Sequence, residues 1–179
     1  MFMPRASVTK SHRRVSGAPR LKPGIVATAD YVERLARFDQ KTLAIWAADC
    51  AGRVLEYFEM LHPKDSRPRR AIEAARAWAG GKITMMMARK AAIATHAAAR
   101  QTNDPAAVAA ARAAGHAAAT AHSIRHARGA PAYAIVAVIA AAAADERESA
   151  TAAERKWQLA KLRSSARNRI SNGQERLRA

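Results

Sequence analysis

The sequence predicts an all-α fold: a single compact bundle of six or seven Ala-rich helices behind a disordered basic N-terminal tail. Three observations predict it. About 48 of the 179 residues are Ala, the strongest helix former. Aromatic residues make up only 5%, and strand formers as a class are scarce. Capping residues, prolines and glycines recur between segments of helical period. Together these argue against all-β folds and against a parallel α/β sheet. Hydrophobic residues make up 50% of the chain, enough for a core.

The elements follow in order. Residues 1–27 hold six Lys/Arg, no acid and three prolines, so they read as a disordered basic tail. Thr28 can cap a short helix over Ala29–Phe38. Asp39 precedes DQKTLAIWAADCAGRVLEYFEML, whose apolar positions Leu43, Trp46, Ala47, Cys50, Val54, Tyr57, Phe58 and Leu61 fall on one helical face. His62-Pro63 stops that helix. After the loop HPKDSRPRR, with Asp65 or Ser66 as cap and Pro68 in the first turn, Ile72, Ala75 and Ala79 form the inner stripe of the next helix. Arg69, Glu73 and Arg76 fall on another face, where they can pair. Gly80-Gly81 supplies the C-terminal cap.

Thr84 caps a helix to about Arg100, with Met86, Ile93 and Ala97 along one side and the Met85–Met87 cluster expected in the core. Asp104-Pro105 opens an Ala-rich helix that runs to Gly129-Ala130-Pro131. The last helical region starts near Pro131 and runs to about Arg167, with a bend near Asp145–Ala150. Its first half is apolar all round and reads as central; its second half is amphipathic about Trp157 and Leu159. The expected organisation is therefore a tail over 1–27, a helical domain over 28–165 and a basic C-terminal tail over 166–179.

Charge location bounds the partners. The net charge is +17. Residues 1–27 contribute +6, residues 161–179 contribute +5 and the middle contributes +6. The ends would bind polyanions such as nucleic acid by counterion release, without sequence readout. No apolar run is long enough for a membrane span, and no apolar region of a secretory signal follows the basic start. The cytoplasm is the expected compartment. One cysteine, Cys50, excludes a disulfide framework within the chain and reads as a core thiol.

Few constellations point to chemistry. His116, His122 and His126 fall on the predicted Ala-rich helix, and the i, i+4 pair His122/His126 has the spacing of two metal ligands. Satisfied polar groups between helices are the alternative. Arg89, His96 and Arg100 share a face of the preceding helix, and Arg112 lies one turn before His116. With Arg67 and Arg70, these are the candidates for a partner- or anion-binding surface; a solvated face is the alternative. No nucleophile elbow, Gly-rich phosphate loop or persuasive acid–base pair is present. The chain reads as no enzyme, with no cofactor beyond the metal that the histidines could hold.

The strings DQKTLAIWAADCAGRVL, RPRRAIEAARAWAGG, ARKAAIATHAAAR, AAGHAAATAHSIRHA and ERKWQLAKL resemble a bacterial immunity protein family, an immunity-like all-helical domain. The resemblance covers roughly Tyr31 to Leu162. It implies a cytoplasmic, non-enzymatic module that neutralises a cognate toxin by binding it. The expected toxin has an acidic surface or acts on something other than nucleic acid, since a folded part of charge +6 is a poor complement to a basic nuclease. Two other readings are a nucleic-acid-associated helical protein using its basic ends, and a histidine-based metal-binding protein. Ala-rich helices can also hide a homo-oligomer interface.

Overall fold

A computed structural model describes Leu35 and residues 38–176. The segment 1–27 lies outside the described residues, as does the helix expected over 29–38 apart from Leu35 and Phe38. Among the described residues the chain is helical and has no strand. The elements are α1 (Gln40–Arg53), the single turn α2 (Glu56–Glu59), α3 (Arg67–Ala79), α4 (Met85–Ala99), α5 (Pro105–Ala119), a 3₁₀ segment (Ile124–Arg128), α6 (Gly129–Ala141) and α7 (Arg147–Arg176).

The starts of the helices are set by the side chains that the sequence offers. Asp39 accepts hydrogen bonds from the backbone N–H of Lys41 and Thr42, Thr84 from that of Met87, and Asp104 from that of Ala107. Each satisfies donors that the first helical turn leaves without a partner. Gly80 closes α3, and Gly81 continues at φ +74°, a conformation that favours glycine.

Helix α5 is the hub. It packs against α1, α2, α3, α4 and α6, and Ala supplies most of its buried surface. A buried methyl contributes only about 0.8 kcal/mol, so this core gains stability from the number of such groups and from the close approach of helices that small side chains permit. The apolar stretch after Pro131, expected to be central, is largely buried as α6 and lies beside α5. A second cluster joins Leu43, Trp46 and Cys50 of α1 to Ala127 and Leu162. Trp46 is fully buried there and donates from Nε1 to the carbonyl of Gln158, 2.8 Å away.

Several boundaries differ from expectation. The helix after Asp39 breaks at Val54-Leu55, where i→i−3 hydrogen bonds redirect the chain so that Val54, Leu55 and Phe58 are all buried. Leu61, placed on the inner face by periodicity, is 54% exposed. The helix after Pro105 ends at Ala119, well before Gly129. Gln40 of α1 donates to the carbonyls of Thr120 and Ala121 and so fixes that turn. Gly129-Ala130-Pro131 does not break a helix but begins one, with Pro131 in its first turn, where no N–H is required. The bend near 145–150 is a full break at Ala142–Glu146, and α7 runs on to Arg176.

Two apolar assignments are reversed. Met85, Met86 and Met87 lie at the surface, and Ile93 is 59% exposed. The buried face of α4 is Ala88, Ala92, Thr95, Ala98 and Ala99. Only small residues fit against α5, so the larger apolar side chains of α4 face outward. On α7, Glu154, Gln158 and Leu162 are buried, while Trp157 and Leu159 are half-buried. Gln158 donates to the carbonyl of Pro131 and to Glu154, and Arg53 donates to Glu154 from outside.

Candidate partner-binding site

Four histidines form a row across one side of the bundle. His96 lies on α4 and His116 on α5. His122 lies in the turn after α5, and His126 in the 3₁₀ segment. The rings of His96 and His116 meet edge to face, centroids 5.4 Å apart. His116 and His126 follow at 5.3 Å, and their Nδ1 atoms are 3.2 Å apart. His126 and His122 follow at 4.8 Å. Tyr133 of α6 stacks on His116 at 5.2 Å. The expected helix carrying His122 and His126 at i, i+4 is absent; the turn brings the two rings together by another route.

Two glycines seat this row. A Cβ at Gly115 would stand 2.5 Å from Cε1 of His96, and one at Gly129 would collide with the ring of His116. In a helix built largely of Ala, Gly115 forgoes about 1 kcal/mol of helix stability. Glycine within an Ala-rich helix is the signal from which the close approach could have been read.

Burial and neighbouring charges disfavour protonation of His96, His116 and His126. Burial pushes His96 down to about 4, assisted by the charges of Arg112, His126 and Arg100. Burial likewise pushes His116 down to about 3, assisted by His96, His126 and Arg112. His126 is lowered by burial and by His122. Neutral imidazoles can share one proton between facing Nδ1 atoms, so His116 and His126 take opposite donor and acceptor roles. The guanidinium of Arg112 approaches Nδ1 of His96 at 3.4 Å. Arginine has no acceptor, so this Nδ1 accepts and the His96 proton sits on Nε2.

The arginines divide into two sets. Arg53 pairs with Glu154, Arg67 with Asp65, Arg69 with Glu59 and Arg76 with Asp49. The expected pairing of Arg69 and Arg76 with Glu73 within their own helix is replaced by these bridges to neighbouring elements. Asp49 also meets Lys161. Asp49, Arg53, Glu59, Arg69, Arg76 and Lys161 line a groove of about 600 Å³ between α1, α2, α3 and α7. In contrast, Arg89, Arg100 and Arg112 have no carboxylate partner among the described residues. No carboxylate contributes to the shifts of His96, His116 or His126 either.

Of the residues singled out from sequence, the fold therefore brings together His96, Arg100, Arg112, His116, His122 and His126. Arg89 lies on the same helix as His96, two turns before it. Arg67 is held by Asp65 and by Gln101, the residue after Arg100, and Arg70 is an exposed residue of α3. Among the described residues no group of three or more His, Cys, Asp or Glu side chains has a geometry that could hold a metal ion. Cys50 is buried, and burial, with Glu154 and Asp49 nearby, pushes its thiol well up. No helix among the described residues is long and apolar enough to cross a membrane.

A family model described as Imm-5 like putative immunity protein matches residues 33–165. The match spans α1 to α6 and most of α7, and includes every residue of the histidine row. The chain belongs to this family. No curated protein and no solved structure matches it.

Proposed function

We propose that this Imm-5 like immunity-family chain neutralises a cognate bacterial toxin in the cytoplasm by binding it, without catalysis, through the side of the bundle that carries the histidine row. Membership of the family is the observation that carries the reading. The surface is chosen by its charges. The groove lined by α1, α2, α3 and α7 carries arginines already paired with the chain's own carboxylates. The α4–α5 side presents guanidinium groups that a partner could satisfy. Desolvated arginines paired across an interface are frequent energetic centres of binding.

The test is capture from nuclease-treated lysate of the producing cells, with washes at low salt and at about 0.5 M salt, where exposed charges are largely screened. A single protein retained at high salt supports the reading. Recovery of only nucleic-acid-bound proteins, lost at high salt, supports the alternative that the basic ends, +6 over residues 1–27 and +5 over 161–179, dominate binding.

A further inference from the structure

Helix α4 exposes a line of alternating apolar and basic side chains. Met86 is 57% and Ile93 59% exposed. Arg89 and Arg100 are exposed on the same helix, at steps of three, four and seven residues from these and from His96, which places them along one side. At the C-terminal end of the line, Arg112 of α5 reaches His96. Exposed large apolar side chains beside unpaired guanidinium groups are an unusual use of surface. Arg and Met are both enriched at protein interfaces, and Met adapts its shape to a partner.

We infer that this side of α4, closed at one end by Arg112, docks a protein segment that carries a carboxylate for Arg112 and Arg100 and apolar side chains for Met86 and Ile93. The inference rests on the immunity reading and names the chemistry of the partner. Charge complementarity commits it to an acidic occupant, since no carboxylate of the described residues answers these arginines. The apolar residues favour protein over nucleic acid, whose outer surface is a phosphate chain that gains nothing from Met86 or Ile93. The seat beneath His96, kept open by Gly115, holds the ring as a fixed acceptor for Arg112. The guanidinium is thereby aimed before the partner arrives, which lowers the ordering cost of binding.

The experiment uses the full chain, isotopically labelled, and a synthetic acidic amphipathic peptide of repeated Glu-Leu-Leu-Glu units as probe, followed by NMR. The expected result is saturable shifts of the amides of residues 86–100 and of the His96 ring. R112Q and I93K should each weaken the peptide by about tenfold, while both variants keep the wild-type melting temperature within a few degrees. A peptide of glutamates alone should bind more weakly and lose its effect in salt. Shifts confined to residues 1–27 and 161–179, or unchanged in R112Q and I93K, overturn the inference. So does a single-stranded oligodeoxynucleotide that reproduces the same shifts. If wild type captures a protein at high salt and both variants retain it equally, this surface is wrong while the immunity reading stands. If the peptide docks as expected but no protein is captured, the surface stands and the immunity reading fails.

Discussion

Gly115 of α5 lies directly beneath the imidazole of His96 on α4, so close that a methyl group there would stand 2.5 Å from the ring. The same relationship recurs between Gly129 and His116. Glycine at these two positions lets the ring of one element settle on the backbone of the next. The row of histidines is thus built into the packing of the bundle.

A double-mutant cycle tests this seat. G115A should destabilise the chain by about 1–2 kcal/mol, because the overpacking penalty exceeds the gain in helix propensity. In an H96A background the same change should stabilise by about 0.5–1 kcal/mol, since only the propensity gain remains. Denaturant melts of the four proteins read the cycle. Equal effects of G115A in both backgrounds would mean that the two residues do not meet.

The neutral histidines predict a pH dependence of stability. An unfolded histidine titrates near its ordinary value of 6.5, whereas native His96 and His116 are held down to about 4 and about 3. Between these limits the unfolded chain binds protons that the native chain does not. Stability therefore falls as pH drops below about 6.5. Each fully buried histidine would give about 1.4 kcal/mol per pH unit; allowing for partial exposure, the pair should give about 1–2 kcal/mol per pH unit between pH 6 and 4.5. The double variant H96Q/H116Q should flatten this slope. A wild-type stability that is level across the range would contradict the burial of the row. Asp65, held below its ordinary value by the hydrogen bond from Arg67, acts in a separate and more acidic window. Its contribution is present above the ordinary carboxylate range and is lost as pH falls through its lowered value.

The buried Glu154 predicts a second stability effect. Its carboxylate is 2% exposed and is satisfied by Arg53 and Gln158. R53A should cost about 2 kcal/mol, because it leaves a buried charge without its cation, and E154Q should recover part of the loss in that background. Thermal melts of R53A and R53A/E154Q decide the matter; equal stability of wild type and R53A would show that the pair contributes nothing net.

Cys50 should behave as an inert thiol. It is fully buried beside Trp46, and its ionisation is opposed by burial and by neighbouring carboxylates. A thiol reagent should modify it only after denaturant is added. Rapid modification in the native state would place it elsewhere.

Much of the fold was legible in the sequence. Asp39, Thr84 and Asp104 start helices where their short polar side chains indicate, because the capping bond is local. What failed depended on neighbours. Met86 and Ile93 read as inward by type, yet the face that α4 buries is made of Ala88, Ala92, Thr95, Ala98 and Ala99 and packs on α5, whose buried residues are mostly Ala, so the larger side chains stay outside. Glu154 and Gln158 are polar and carry no signal for burial, yet each finds a partner from a distant segment. The histidine row was half legible. His96, Arg112, His116 and His126 were each singled out, but His96 reaches Arg112 and His116 through the packing of α4 on α5, and His126 reaches His116 through the turn at Thr120–Ser123, which is fixed by Gln40 some 80 residues away in sequence.

Protection of the cell, as proposed, runs through a protein held on the α4–α5 side of the bundle. The most direct measurement is growth of cells that express the protein captured at high salt, alone and together with this chain. The captured protein should stop growth, wild type should restore it, and R112Q/I93K should restore it poorly at equal expression. A captured protein that is harmless, or toxicity that wild type does not relieve, would contradict it.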